Sequence, residues 1–194
     1  MFIHKKRNFM FIHIPKTGGI SARDALWGPK IAPHISASAM RETDPGAFRS
    51  NFKFAFVRNH WARFISAYEF LKKGGLNEKW DGQAAERVRQ YKNITALLKS
   101  NDKVLNWVHF RPQWHWVCDH DGNLLVDFIG KTEEMEEGLN FVALKTGVKP
   151  KDLKKLNANP HKHYSKYFNK TSLGLFNERY SKDIEMFDYE YEEL

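Results

Sequence analysis

Three short stretches of the chain are apolar with almost no alternation: residues 9–14 (FMFIHI), 52–57 (FKFAFV) and 124–129 (LLVDFI). Runs of this length, apolar toward both faces, suit parallel strands buried inside a sheet. A further short strand is expected near Ile31. After the first run, Gly18-Gly19 turns the chain and residues 20–27 read as a helix closed by Gly28-Pro29. After the second, Trp61, Phe64, Ile65, Tyr68 and Leu71 recur at i, i+3, i+4, i+7 and i+10. Asn59 caps that helix and Gly74-Gly75 closes it. Helical patterns also cover 36–41 and, less regularly, 83–100; two later helices are expected over 132–146 and 171–187. Strands alternating with helices predict an α/β fold, a central parallel sheet flanked by helices. With no internal repeat, low-complexity tract or linker, residues 1–194 read as one domain.

Composition narrows the class. Of 194 residues, 42% are hydrophobic and 14% aromatic, which excludes a disordered or fibrous chain. No apolar run approaches the roughly 20 residues of a membrane span, and the first residues lack a signal-peptide core. A single cysteine, Cys118, excludes an internal disulfide framework and a multi-cysteine zinc site, and suits a reducing compartment. The net charge of +8 is uneven: residues 1–100 carry +11 and residues 101–194 carry −3. Such a field favours an anionic partner, whether nucleic acid, a phosphorylated cofactor or an acidic polymer; a basic solubilising surface is the alternative.

Two strand-to-helix junctions hold the candidate chemistry. In IHIPKTGGIS the first strand ends at Pro15, and a helix begins just past the glycines. Free N–H groups and the positive end of a helix dipole make such a junction an anion site. Lys16 adds a charge, and Thr17 and Ser21 add hydroxyls. The order is not that of a Walker A loop, in which the lysine follows the glycines and a hydroxyl holds magnesium; this loop suits a phosphate without a metal. In FAFVRNHWARFISAYEF, Arg58 leaves the second strand where a guanidinium can fork onto a phosphate. Ser66, eight residues on, falls about 80° around the helix from Arg58. Taken singly, Arg58 reads as a salt-bridge partner and Ser66 as a packing serine.

Together, strand-PKTGG-helix and strand-FVR-N-x-W-x-R-F-x-S-A-Y resemble the sulfotransferases, in particular the carbohydrate (Golgi-type) family and its bacterial relatives. RPQWHWV at 111–117, VDFIGKTEEME at 126–136 and the tail YSKDIEMFDY extend the resemblance over nearly the whole chain. The resemblance implies a P-loop-like three-layer fold and metal-free transfer of a sulfuryl group from 3′-phosphoadenosine 5′-phosphosulfate (PAPS) to a hydroxyl of a carbohydrate or similar acceptor, leaving PAP. By the same match Pro15, Lys16, Thr17, Gly18, Gly19 and Ser21 cradle the 5′-phosphosulfate, Lys16 contacts the bridging oxygen, and Arg58 with Ser66 holds the 3′-phosphate. His34, in APHISAS, resembles the histidine of a His-x-Ser segment in uronyl 2-O-sulfotransferases and is the expected base. His13 is expected to be structural.

Trp107, Phe110, Trp114 and Trp116, with His109, Arg111 and His115, are acceptor candidates or core. The basic loop at 157–167, with Lys162 and His163, is expected to fold over the donor. Glu133, Glu134, Glu136 and Glu137 read as a solvated helix start. The sequons at Asn93 and Asn169 read as chance matches, and His60 and Ile20 stand where the family often has proline and threonine. A cytoplasmic, bacterial-type enzyme without nucleic-acid partner or membrane span is expected. The competing readings are a P-loop-like nucleotide kinase and a non-catalytic binder of acidic glycans.

Overall fold

The computed structural model describes residues 3–4, 8–28, 33–153 and 161–194. It divides into two units, the first built from Met1–Arg58 and Gln113–Ala158, the second from Asn59–Pro112 and Asn159–Leu194.

The first unit is α/β. Strands β2 (Phe9–Ile12), β3 (Phe52–Val57) and β4 (Phe128–Lys131) run parallel in that order, and β1 (Ile3–His4) pairs antiparallel with β2. Phe9, Phe11, Phe54 and Phe56 alternate along β2 and β3 and so share one face of the sheet. Against them pack Ala22, Ala25 and Leu26 of α1 (Gly19–Trp27) and Leu139 and Val142 of α8 (Met135–Thr146). Met10, Ile12, Ala55 and Val57, on the other face, are buried as well. Burial on both faces is why the sequence shows unbroken apolar runs instead of alternation. Helices α2 (Ala37–Thr43), α3 (Pro45–Ser50) and α7 (Trp114–Val117) complete this unit.

Several expected boundaries move. The third strand starts at Phe128, not at Leu124. The Asp127 carboxylate accepts the Lys53 N–H at 2.7 Å, and the Asp127 N–H donates to the Lys53 carbonyl at 2.8 Å. That exchange fixes the register, so pairing begins at Phe54 opposite Phe128, and Leu124 instead bridges Cys118. Strand β1, which has no counterpart in the sequence pattern, precedes the expected first strand. The strand expected near Ile31 lies outside the described residues.

The second unit is helical, from α4 (His60–Lys72), α5 (Glu78–Arg89), α6 (Ile94–Ser100), α9 (Lys170–Arg179) and α10 (Ser181–Phe187). Trp61, Phe64, Ile65, Tyr68 and Leu71 form its core with Leu97, Phe110, Phe176 and Tyr180, as the α4 stripe predicts. The helix expected over 83–100 is two helices, because Asn93 accepts the Ala96 N–H and caps a new start. Asn169 caps α9 through Ser172 in the same way. Both sequon asparagines are therefore helix caps. The helix expected over 171–187 breaks at Tyr180, whose buried hydroxyl donates to the Phe110 carbonyl. His60 lies buried 3.9 Å from Asp183; burial first, and the charge of Arg63 second, push the imidazole down to about 3. No helix among the described residues is long and apolar enough to cross a membrane.

Candidate functional site

The site begins where β2 ends. Past Ile14 the chain turns through Pro15, then through two residues with left-handed backbone, Lys16 at φ +69° and Gly18 at φ +71°. Thr17 between them is wholly buried, and its hydroxyl donates to the Ile14 carbonyl at 3.0 Å, folding the loop back on its own strand. Gly18 is the N-cap of α1 and provides no side-chain acceptor, whereas Ser36, Asp44, Asn59, Asn77, Asn93 and Asn169 each cap the helix that follows them. The first turn of α1 also holds no acidic residue. A loop with alternating left-handed residues, opening an uncapped helix, presents main-chain N–H groups and a dipole to an anion. Ser21, nearly buried, sits in that first turn.

Both glycines are set by close approach. A Cβ at Gly18 would lie 2.8 Å from Met135 Cε, and one at Gly19 would lie 2.1 Å from His13 Cδ2. Gly19 thus carries the loop directly over the His13 ring. That ring in turn packs against His34, with centroids 4.4 Å apart. His34 Nδ1 is 2.8 Å from the His13 carbonyl. A carbonyl can only accept, so Nδ1 carries a proton, and whenever the ring is neutral its lone pair is on Nε2. His34 also meets Trp116 edge-on at 6.1 Å.

The second junction is held by side chains. Arg58 follows β3, and its Nη1 donates to the Lys16 carbonyl at 3.4 Å, so the two expected phosphate ligands meet in one place. The Arg58 N–H donates to Gln113 Oε1 at 2.9 Å and Gln113 Nε2 donates to the Arg58 carbonyl at 2.8 Å. Thr132, just past β4, places its Oγ1 2.9 Å from the Thr17 carbonyl and 2.9 Å from the Val57 carbonyl, sharing one hydroxyl hydrogen between loop and strand end. Arg23 of α1 is buried too, and burial lowers its pKa against the opposing charge of Asp24. Among the described residues no group of three or more His, Cys, Asp or Glu is arranged to hold a metal.

The other singled-out residues fall into distinct settings. Ser66 is buried on α4 of the second unit. Of the aromatic segment, Phe110 and Trp116 are core, while Trp114 and His115, their rings stacked at 3.7 Å, line a cavity of about 290 Å³ in the first unit with Ser38, Cys118, Asp119 and His120. His109 is buried 3.6 Å from Asp81, which makes it structural. His163 caps the short turn at Tyr164–Lys166, and residues 157–160 of the expected donor-covering loop lie outside the described residues. Gln113 and Thr132 were not singled out as residues. Their signal in the sequence is a polar side chain at a strand end or beside an apolar segment, inside RPQWHWV and GKTEE.

A parallel sheet whose strand ends converge on a lysine-bearing loop at the start of a helix defines an α/β protein of P-loop-like type. A comparison with known families matches residues 33–190 to the sulfotransferase family, and the chain belongs to it. The match contains His34, Arg58, Ser66, Gln113 and Thr132, and begins after the Lys16 loop. Comparisons with curated proteins and with solved structures found no match.

Proposed function

We propose that the protein transfers the sulfuryl group of PAPS to a hydroxyl of a carbohydrate or similar acceptor. The observation that carries this reading is the Arg58 guanidinium meeting the main-chain carbonyl of Lys16 in the loop that opens α1, which brings the second strand end to the first. Pro15 turns the chain into the loop, and the main-chain N–H groups of Lys16 to Gly19 with the Ser21 hydroxyl hold the 5′-phosphosulfate. Arg58 takes the 3′-phosphate, which separates this donor from ATP-like nucleotides.

In the transfer step the acceptor oxygen bonds to sulfur while the bond from sulfur to the bridging oxygen breaks. The electron pair stays on the 5′-phosphate of departing PAP, where the Lys16 ammonium meets the growing charge. Such preorganised stabilisation is worth roughly 10²–10³ in rate. The proton of the acceptor hydroxyl goes to His34 Nε2, the nitrogen left unprotonated by the bond from Nδ1 to the His13 carbonyl. Positioning supplies the rest, as in phosphoryl transfer.

The test is transfer of labelled sulfate from PAPS to a panel of sugars and small alcohols. Lys16→Ala should cut turnover by about 10²-fold or more, and His34→Ala should abolish transfer while sparing PAP affinity. Near-normal turnover in Lys16→Ala, or thermal stabilisation by ATP–Mg and not by PAP, would refute the reading.

A further inference from the structure

We propose that Gln113 is a positioning residue for the 3′-phosphate contact: its carboxamide grips the main chain of Arg58 and so fixes where the guanidinium stands. The inference rests on the donor reading above. Strand pairing ends at Val57 opposite Lys131, and Arg58 is the residue just past β3. Its N–H and carbonyl meet the Gln113 side chain at 2.9 and 2.8 Å. Two opposed bonds of this kind reproduce one narrow pair of an antiparallel ladder, made by a side chain in place of a strand. The amide can stand only one way round, because the opposite orientation would set donor against donor and acceptor against acceptor.

Gln113 is itself anchored. It is wholly buried, it follows Pro112, and its helical backbone (φ −70°, ψ −34°) opens α7. Its side chain therefore reaches Arg58 from a fixed base. One residue earlier, Thr132 occupies the Val57 carbonyl and ties it to the carbonyl of Thr17. The strand end is thus held by two side chains from the segments that follow it in sequence. The two bonds from Gln113 therefore hold the Arg58 main chain, and with it the root of the side chain that meets the Lys16 carbonyl at 3.4 Å.

The experiment measures the affinities of PAP and of adenosine 5′-monophosphate, which lacks the 3′-phosphate, for the full chain. Wild type, Gln113→Met, Arg58→Ala and the double variant are compared by calorimetry. Met keeps the volume and removes both bonds. We expect Gln113→Met to lower the preference for PAP by about tenfold or more through the PAP arm alone. The 5′-monophosphate Kd should stay within about twofold, and the PAPS KM should rise more than kcat falls. In the Arg58→Ala background the second substitution should change nothing further.

Gln113→Asn, which keeps the amide but shortens its reach, is measured in parallel and should show the same selective loss. Equal weakening of both nucleotides, an unchanged preference, or failure of both variants to fold would overturn the positioning role and leave Gln113 a purely structural residue. A wild-type chain that does not prefer PAP over the monophosphate would instead overturn the donor reading.

Discussion

Replacing Gly19 by alanine probes how tightly the Lys16 loop is laid over its support. The new Cβ would sit 2.1 Å from His13 Cδ2 and 2.3 Å from Nε2, so the ring must retreat by more than an ångström to reach ordinary contact. It has little room to do so. His13 is 6% exposed, its ring stacks on Phe11 with centroids 5.6 Å apart, and His34 stands on it at 4.4 Å. Overpacking of this kind costs about 1–3 kcal/mol. The gain in helix propensity on leaving glycine, up to about 1 kcal/mol, offsets part of that. A net loss of ~1–2 kcal/mol lowers Tm by roughly 2–8 °C in a chain of this size. The displaced ring presses on His34, so turnover falls as well. Removing the obstacle should reverse the sign: in a His13→Ala background Gly19→Ala should be neutral or stabilising, a coupling of ~1–3 kcal/mol measured by thermal or urea unfolding. An unchanged Tm in Gly19→Ala, or the same effect with and without the His13 ring, would refute the close approach.

Three further outcomes follow from the same geometry. Lys16 holds a left-handed backbone at φ +69° that costs a non-glycine residue about 1 kcal/mol or more, so Lys16→Gly should raise the unfolding midpoint by that order while abolishing transfer, whereas Lys16→Ala should not be stabilising. Thr132→Val withdraws the hydroxyl shared by the Thr17 and Val57 carbonyls and should cost ~1–3 kcal/mol in urea unfolding, with Thr132→Ser recovering most of it. His60 titrates at about 3 in the fold and near 6.5 when unfolded, so the unfolded chain binds the extra proton between those values and stability falls as pH drops through that window. Urea unfolding at pH 7 and pH 5 should differ by ~2 kcal/mol from this group, and His60→Asn should remove that share of the difference.

What the sequence made legible depends on whether one segment sufficed to decide a feature. Strand β3 and helix α4 were readable to the residue, because FKFAFV is buried on both faces and the stripe from Trp61 to Leu71 has only one helical reading. The Lys16 loop was readable because its order of proline, lysine and glycines is local chemistry. The start of β4 was not, since an apolar run beginning at Leu124 gives no hint that Asp127 will exchange two bonds with Lys53, a residue 74 positions away. Nor was the break at Tyr180, which depends on a carbonyl seventy residues earlier. The two sequons were read as chance matches, and both asparagines serve as helix caps, a role that an asparagine two residues before a threonine can also fill. Gln113 and Thr132 escaped residue-level notice for the same reason as β4: their partners are main-chain groups of Arg58, Thr17 and Val57, and main-chain partners leave no trace in the pattern of side chains.

The Lys16 loop departs from the helix-start pattern that most of the second unit follows. In the second unit α4, α5, α6 and α9 all begin at an asparagine that accepts a main-chain N–H, and the apolar stripe meets one aromatic core. Such agreement across levels is what folding alone would select. In the first unit, over residues 13–23, the rules are broken together: a lysine in left-handed backbone, a helix without a side-chain cap, and a buried arginine whose Nε has no hydrogen-bond partner among the described residues. The left-handed lysine and the buried arginine each cost stability, and the helix start has no side-chain cap. On the proposed reading a bound anion would offset the last two, so a bisphosphate ligand should stabilise the chain beyond what its contact area alone would supply.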